Sequence, residues 1–303
     1  MQIAQELVQA SIVVHVFGLG LRGAWTMVMP SRPEAARVCR RLIARDALMP
    51  AIVMSVLSIL RVPGPAIVGA TMLAISPGTL LVPQGMLGRR SRSNMVFGAS
   101  VVAVLGSIVT LPFWMPILCR LYLSDASVAP AAVAQLAGIL FLLPLGLGAL
   151  VRRFDPAMME IASGPVIITG DLLLWLALIP LLGDTMSALP QLGSAFVIVV
   201  ISAPSIAVLA AVVTRQWTRA GAPETAPVFS APHPGFALLV TASNFAGDAV
   251  LPAVVLSFVG RLAASMLHTL LTRHADVAMS AADEAAIAIA QNEPAVPRVL
   301  PLP

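Results

Sequence analysis

Residues 233–252 read HPGFALLVTASNFAGDAVLP, and this stretch decides the fold. It starts as an apolar run, and a second apolar run, AVVLSFV, follows it directly. Between the two runs stand Ser243, Asn244 and Asp248, with Gly247 among them. Polar side chains and a glycine inside a long apolar segment predict a helix that is interrupted as it crosses a membrane. The alternative is an extracellular turn between two separate helices.

The composition of the whole chain indicates a membrane protein. Of the 303 residues, 58% are hydrophobic and only 11% are charged. A soluble globular domain carries about 25% charged residues, so this chain has too few charges to cover a surface that faces water. Its apolar runs are about 20 residues long, which is the length of membrane-spanning helices and not of the alternating strands of a barrel. The expected fold class is therefore an all-α integral membrane protein.

About nine apolar runs are long enough to serve as membrane spans. They cover residues of about 3–24, 43–62, 65–88, 94–119, 130–151, 160–182, 192–214, 234–248 and 250–272. We expect residues 1–273 to form one transmembrane domain. Residues 274–303 mix Ala, Pro and acidic residues, so we expect a tail that is mostly disordered.

The arginines predict an orientation for these spans. All 18 basic residues are arginine, and most of them fall in every second loop. The basic loops contain Arg32, Arg37, Arg40, Arg41, Arg89, Arg90, Arg92, Arg152, Arg153, Arg215, Arg219 and Arg273. Positive charge is enriched in cytoplasmic loops, so we expect the N-terminus outside and the C-terminus inside a bacterial inner (plasma) membrane. Membrane topology therefore explains the excess of basic residues. We expect a lipid bilayer as the partner of this chain and no nucleic acid.

A second interrupted span strengthens the first interpretation. Residues 65–85 read PAIVGATMLAISPGTLLVPQG, with Pro77 and Gly78 near the middle. Proline removes a backbone donor and clashes with the preceding turn, so it kinks or ends a helix. A simple proline kink is one interpretation. The other is that the third and eighth spans occupy matching places in two oppositely oriented halves, which is typical of inverted-repeat transporters.

Three motifs make this chain similar to the bile acid:sodium symporter superfamily, including its bacterial members. They are VFGLGL in the first span, ISPGTLL in the third and HPGFALLVTASNF in the eighth. The resemblance covers most of residues 10–272 at the level of motifs. It implies a panel domain and a core domain interleaved along the chain, and two interrupted core helices that cross at the binding site. This chain resembles a nine-helix form that lacks the first helix.

The sequence also departs from the sodium-coupled members of that superfamily. Leu80 to Pro83 follow Thr79 where the family carries further polar residues, and Leu239 stands where the family has Glu. Hard cations need several oxygen ligands, and these side chains supply none. We therefore expect transport to respond to protons at least as strongly as to sodium.

Three charged or titratable residues lie inside predicted spans. Asp171 is near the middle of the sixth span, where an acid is unfavourable and indicates a functional site that binds a proton or a cation. The alternative is a structural aspartate that caps a break after Gly170 or pairs with arginine. Arg261 is its natural opposite charge, or it could hold an anionic substrate. His15 could titrate, and the alternative is an ordinary hydrogen-bonded histidine.

The remaining candidates line the core or allow close packing. Gly18 and Gly20 are expected to let helices approach closely. Gln84 and Ser100 are plausible lining residues of the core domain. The residues that we expect to bind substrate or ion are Pro77, Gly78, Thr79, Gln84, Ser100, Asp171, Ser243, Asn244 and Asp248.

These features together predict a secondary active transporter of a small organic anion that works by alternating access and is coupled to protons or sodium. An uncoupled efflux or uniport permease on the same scaffold is one alternative, and a membrane sensor or enzyme is another. The sequence contains no nucleotide-binding or catalytic motif, so we expect no enzyme, no metal site and no cofactor beyond a coupling ion. A monomer and a homodimer both stay open.

The predicted orientation can be tested by labelling intact cells with a membrane-impermeant thiol reagent. Ser91→Cys and Thr218→Cys place thiols in basic loops, and we expect both to be protected because those loops face the cytoplasm. Ser127→Cys lies in an opposite loop and should react. Reaction of the thiol at position 91 from outside would reverse the orientation.

Overall fold

The computed structural model describes residues 2–22, 42–76, 90–123, 128–193, 234–245 and 249–263. The predicted seventh span and the predicted tail with its boundary at residue 273 lie outside these ranges, apart from the first two residues of that span. The chain divides into two units, Met1–Arg261 and Leu262–Pro303. The fold described below is that of the first unit. Its final helix continues for two described residues, 262 and 263, past the boundary of that unit.

Within the described ranges the backbone is helical apart from short turns, and it contains no strand. We number eight helices in chain order. They are α1 (Gln2–Leu21), α2 (Met49–Ile59), α3 (Gly64–Ile75), α4 (Arg90–Tyr122), α5 (Pro130–Arg152), α6 (Pro156–Leu192), α7 (Pro234–Asn244) and α8 (Val250–Ala263). A π-helical turn, Ala44–Leu48, leads into α2. The all-helical class expected from the sequence is confirmed for this part of the chain.

Four helical segments are long and apolar enough to cross a membrane, judged by length and composition over the described residues. They are Gln2–Leu21, Val101–Tyr122, Pro130–Arg152 and Pro156–Pro190. Large apolar side chains also cover the outer faces of α5 and α6. Examples are Ile139, Leu143, Ile161, Leu172, Leu176 and Ile179, all more than half exposed. Such an apolar exterior fits a membrane-embedded protein.

The start and the end of α6 follow from its local sequence. The carboxylate of Asp155 caps the helix by accepting a hydrogen bond from the backbone N–H of Met158 at 3.0 Å. Pro156 follows in the first turn, where the N–H that proline lacks would have no intrahelical partner. Gly193 ends the helix with a φ of 65°, a left-handed conformation that glycine adopts without strain.

The length of α6 differs from the sequence prediction. The sixth span is predicted to end near residue 182, yet α6 continues to Leu192 and contains 37 residues. Pro165 and Pro180 lie inside it without ending it. A proline removes one backbone hydrogen bond and leaves the next turns intact, so it can kink a long helix that is otherwise well packed.

The helices form one connected bundle, which we divide into a group around α1 and a group around α3; the two groups alternate along the chain, and α4 and α7 contact both of them. In the three-helix group, α1 packs against both α5 and α6. In the five-helix group, α3 packs against α2, α4 and α7, and also against α8. The buried residues shared by α2, α3 and α8 include Val53, Leu57, Ala66, Ile67, Ala70, Ala74, Ala253 and Leu256. The two groups meet where α7 contacts α1 and where α4 contacts α5.

Glycines bring α1 close to its two neighbours. A Cβ atom on Gly20 would lie 2.9 Å from the Cα of Gly148 in α5. A Cβ atom on Gly170 in α6 would lie 2.9 Å from the backbone nitrogen of His15, and one on Gly18 would overlap Ile167. Small residues at these points let the backbones approach, which favours dispersion contacts inside a membrane. The prediction that Gly18 and Gly20 permit close packing is confirmed.

Two glycines of α5 provide a matched test of this packing. Gly148→Ala adds a methyl group where α1 backbone atoms already lie, so we expect it to destabilise the protein by about 1–3 kcal/mol. Gly146→Ala adds the same group where no atom lies within 4 Å, so it should leave stability unchanged or raise it slightly. Thermal unfolding of the purified protein in detergent measures both. Equal melting temperatures for the two variants would contradict the close packing of α1 and α5.

Candidate functional site

A histidine and an aspartate meet between α1 and α6. Nδ1 of His15 lies 3.1 Å from Oδ1 of Asp171, and the two side chains are 1% and 21% exposed. One turn before His15, the hydroxyl of Ser11 donates a hydrogen bond to the carbonyl oxygen of Gly170 at 2.6 Å. Gly170 precedes Asp171, so the close approach of α6 to α1 also places the carboxylate beside the imidazole.

The partner of Asp171 in the structure is not the arginine that the sequence suggested. Within the described part of the chain, Asp171 forms its ion pair with His15 and not with Arg261. The other helices that pack against α1 add no titratable side chain beside the pair, since α7 has none and α5 has only Arg152 at its end. The structure thus places a carboxylate beside an imidazole between two packed helices.

An arginine cluster lies at one end of the same three helices, about two turns beyond His15. Nη1 of Arg152 donates to the carbonyl oxygen of Leu21 at 2.9 Å, and its Nη2 lies 3.9 Å from the carboxylate of Glu160. Burial lowers the pKa of the Arg22 guanidinium, and the negative charge of Glu160 opposes that shift. The carboxyl ends of α1 and α5 and the amino end of α6 therefore lie together. Cations at the carboxyl ends of helices are favourable there.

Four helices of the five-helix group are short over the described residues. α2 and α7 have 11 residues each, α3 has 12, and α8 covers Val250–Ala263. At about 1.5 Å per residue they are between about 17 Å and about 21 Å long, against about 30 Å for the hydrocarbon layer. Of these, α3 and α7 end at the two predicted breaks. Helix ends of this kind leave carbonyl groups free for a cation.

The end of α3 follows from the proline beyond it. Ser76 has φ −56° and ψ 140°, an extended conformation that the residue before a proline adopts to avoid the ring. Its backbone N–H and its hydroxyl both donate to the carbonyl oxygen of Met72, each at 3.1 Å. At the end of α7, the side-chain amide of Asn244 donates to the carbonyl oxygen of Val240 at 2.9 Å. Asn244 therefore caps its own helix.

The meeting of the two breaks remains a prediction. α3 and α7 pack against each other. Pro77, Gly78, Thr79, Gln84 and Asp248 lie outside the described residues, and Ser100 lies in α4 with its side chain outside them. The structure thus describes Asp171, Ser243 and Asn244 among the predicted site residues, and it pairs Asp171 with His15.

Ser243 contacts α1 instead of another predicted site residue. The side-chain amide of Gln5 donates to the hydroxyl of Ser243 at 2.9 Å, near the amino end of α1. Toward the other end of α7, the ring of Phe236 lies 5.1 Å from the ring of Phe141 in α5. α7 therefore contacts both α1 and α5 along its length. Sequence reasoning missed Gln5 and Phe141, because a single glutamine and a single phenylalanine in apolar helices give no pattern.

α8 carries two buried polar groups on one face. The hydroxyl of Ser257 and Nε of Arg261 are both buried and have no hydrogen-bond partner among the described residues. Next to them, the ring of Phe258 lies 6.4 Å from the ring of Trp175 in α6. This part of α8 therefore faces the three-helix group.

Comparison with known proteins gives this chain no family. No model of a known protein family matches it, and no curated protein matches it either. Among the described residues, no group of three or more His, Cys, Asp or Glu side chains could hold a metal ion. The fold and the site define its class, an all-helical protein suited to a membrane, with a buried histidine beside a partly exposed aspartate between two of its helices.

The contact between α1 and α7 can be tested by chemical cross-linking. Gln5→Cys with Ser243→Cys, in a background with Cys39→Ser and Cys119→Ala, should react with a short bifunctional methanethiosulfonate because the native side chains touch. A protease site inserted within residues 215–233 shows the cross-link, since the two cleaved fragments then stay together. Ile3→Cys with Ser243→Cys is the control, because Ile3 is 74% exposed and lies two residues from Gln5, on the opposite side of α1. Equal yields from both pairs would contradict the contact.

Proposed function

We propose that this protein is a secondary active transporter of a small organic anion, working by alternating access in a bacterial inner membrane. The observation that carries the proposal is that α3 and α7 end at the two predicted breaks and pack against each other. Transporters of this kind move one group of helices against another around a site between them. In this protein α7 lies at the boundary between the two groups, because we assign it to the five-helix group and it contacts α1 and α5 of the other group.

The two helices that end at a predicted break support an inverted repeat of nine spans, as in the bile acid:sodium symporter superfamily. α3 and α7 come from matching places in the two halves of the chain, and both end at a predicted break. Half-helices that cross in this way place backbone carbonyls near the middle of the membrane. In this proposal α1, α5 and α6 form the panel, and the five-helix group forms the core.

Contacts at the helix ends support the orientation inferred from arginine, with the N-terminus outside and the C-terminus inside. Arg152 reaches Leu21 at one end of the bundle, and both belong to ends that we assign to the cytoplasm. In the five-helix group, the hydroxyls of Ser58 and Tyr122 lie 2.7 Å apart, and both belong to ends that we assign to the outside. The directions of α1, α5 and α6 fit the same assignment.

The His15–Asp171 pair supports coupling to protons. With neither group protonated the pair carries one negative charge, and with one proton it carries no net charge. A charge is unfavourable in an apolar surrounding, so a protonated pair favours states in which water is excluded. A sodium site is less well supported, because Leu239 is buried in α7 where the related family has Glu, and it offers no oxygen ligand.

Reconstitution tests the function directly. The purified protein in proteoliposomes should take up radiolabelled organic anions, and an imposed pH gradient should drive accumulation above the external concentration. A sodium gradient is imposed separately at equal pH on both sides. Downhill flux that no gradient can turn into accumulation would favour the uncoupled permease. Full uptake driven by sodium alone would contradict proton coupling.

Asp171→Asn should separate the coupling step from substrate binding. Asparagine keeps the shape of the protonated carboxyl but cannot release the proton. We expect accumulation under a pH gradient to fall to the level of empty vesicles, while exchange of external for internal substrate stays partly intact. His15→Gln should have the same effect because the two groups act as one unit.

Asp184→Asn is the matched control for this prediction. Asp184 lies on the same helix and is exposed, so its change should leave accumulation intact. Normal accumulation by the Asp171→Asn variant would make the buried pair structural.

A further inference from the structure

We infer that Ser257 and Arg261 on α8 bind the anionic group of the substrate, and that this group is a carboxylate. The inference rests on the proposed function, since it names the part of the transporter that recognises its organic anion. It is carried by two buried hydrogen-bonding groups, the hydroxyl of Ser257 and Nε of Arg261, that have no hydrogen-bond partner among the described residues.

Arg261 differs from the arginines at the helix ends. Arg152 contacts a backbone carbonyl and a carboxylate, whereas Nε of Arg261 is buried and bonds to none of the described groups. Arginine keeps its charge under all ordinary conditions. A buried donor without a partner is unfavourable, and Nε belongs to a charged group, so an anion that reached Nε would be bound favourably. Asp171, the acid expected to supply that charge, lies with His15.

Ser257 points to the same missing ligand independently. Its side chain is 1% exposed, and its hydroxyl lacks a partner among the described residues although a serine in a helix can bond to the preceding turn. Ser257 and Arg261 are four residues apart, so they lie on one face of α8. A hydroxyl and a guanidinium on one face can donate to one ligand. The planar fork of arginine matches the two oxygens of a carboxylate.

The surroundings favour a substrate over a lipid headgroup. Ser257 is 1% exposed and therefore enclosed by the helices around it. The neighbouring Phe258 lies against Trp175 of α6, so this face lies where the two helix groups meet. Trp175 is 45% exposed and offers an apolar surface to the body of a small organic acid. The site therefore fits a carboxylate with an aromatic or aliphatic body.

Binding to the full-length protein in nanodiscs tests the site without requiring transport. Benzoate, acetate and succinate are titrated by calorimetry and by tryptophan fluorescence, which Trp175 makes sensitive to this region. Benzamide has the shape of benzoate without its charge. We expect saturable binding of at least one of the anions and none of benzamide. Failure of all three anions to bind would overturn the inference.

Variants assign the binding to these residues. Arg261→Gln should weaken the affinity roughly tenfold or more, since it removes a charged hydrogen-bond donor. Arg261→Lys should restore part of it, and Ser257→Ala should cause a smaller loss. Arg120→Gln is the control, because Arg120 is exposed and lies near the end of α4. Equal affinity of the wild type and the Arg261→Gln variant would overturn the inference.

The melting temperature of the protein without ligand distinguishes two roles for Arg261, binding of a ligand and stabilisation of the fold. If Arg261 awaits an anion, Arg261→Gln removes a buried unpaired charge, and the melting temperature should stay equal or rise. A fall of several degrees would show that Arg261 has a partner within the protein and would overturn the inference. The same titrations in phosphatidylcholine and in phosphatidylglycerol nanodiscs should give equal affinities. Loss of benzoate binding in phosphatidylglycerol alone would assign the site to lipid headgroups.

Transport assays distinguish this inference from the proposed function. An Arg261→Gln variant that transports with unchanged KM leaves the transporter in place and overturns the carboxylate site. Wild-type protein that binds benzoate through Arg261 but moves no anion in either direction leaves the site in place and overturns the transporter.

Discussion

The close approach of α1 to α6 at Gly170 is the contact on which the described arrangement depends. Without a side chain at that position, the backbone of α6 lies against His15, and the hydroxyl of Ser11 reaches the carbonyl of Gly170. A membrane interior offers no water to polar groups, so these groups must find partners in the protein. The neighbouring Asp171 finds one in His15 because the helices touch at this level. The same close approach of α1 and α6 therefore both packs the helices and places Asp171 beside His15.

The five-helix group differs from the three-helix group in the length of its helices and in how they end. Its helices α3 and α7 end early, and their last turns are closed by local bonds from Ser76 and Asn244. The three-helix group is built from long helices that approach one another at glycines, whereas α3 and α7 are short helices closed by their own side chains. The contacts of α7 with the three-helix group include the bond from Gln5 to Ser243 and the pair of rings Phe236 and Phe141.

The sequence predicts the features that depend on a residue and its immediate neighbours. Pro77 forces Ser76 out of the helix whatever surrounds it, so the end of α3 is predictable. Gly18 and Gly20 mark a close contact because few other reasons place two glycines in an apolar helix. The partner of Asp171 is not predictable in this way. It depends on which faces of α1 and α6 are in contact. Both helices carry apolar residues on all sides, so the sequence does not indicate which faces these are. The bond from Gln5 to Ser243 was hidden for the same reason, and Pro180 proved too weak a signal to end α6.

The length of α6 has a mechanical consequence. Its 37 residues extend about 55 Å, roughly 25 Å more than the hydrocarbon layer. Membrane helices tilt by up to about 40°, which absorbs only part of that excess. One end of α6 is tied to the arginine cluster at the ends of α1 and α5, so the surplus lies toward Leu192. By length alone, that end would extend beyond the membrane interior as an arm that is helical back to Asp171, with Pro180 between them. A force applied to the arm from outside the bilayer would turn the helix about its glycine contacts.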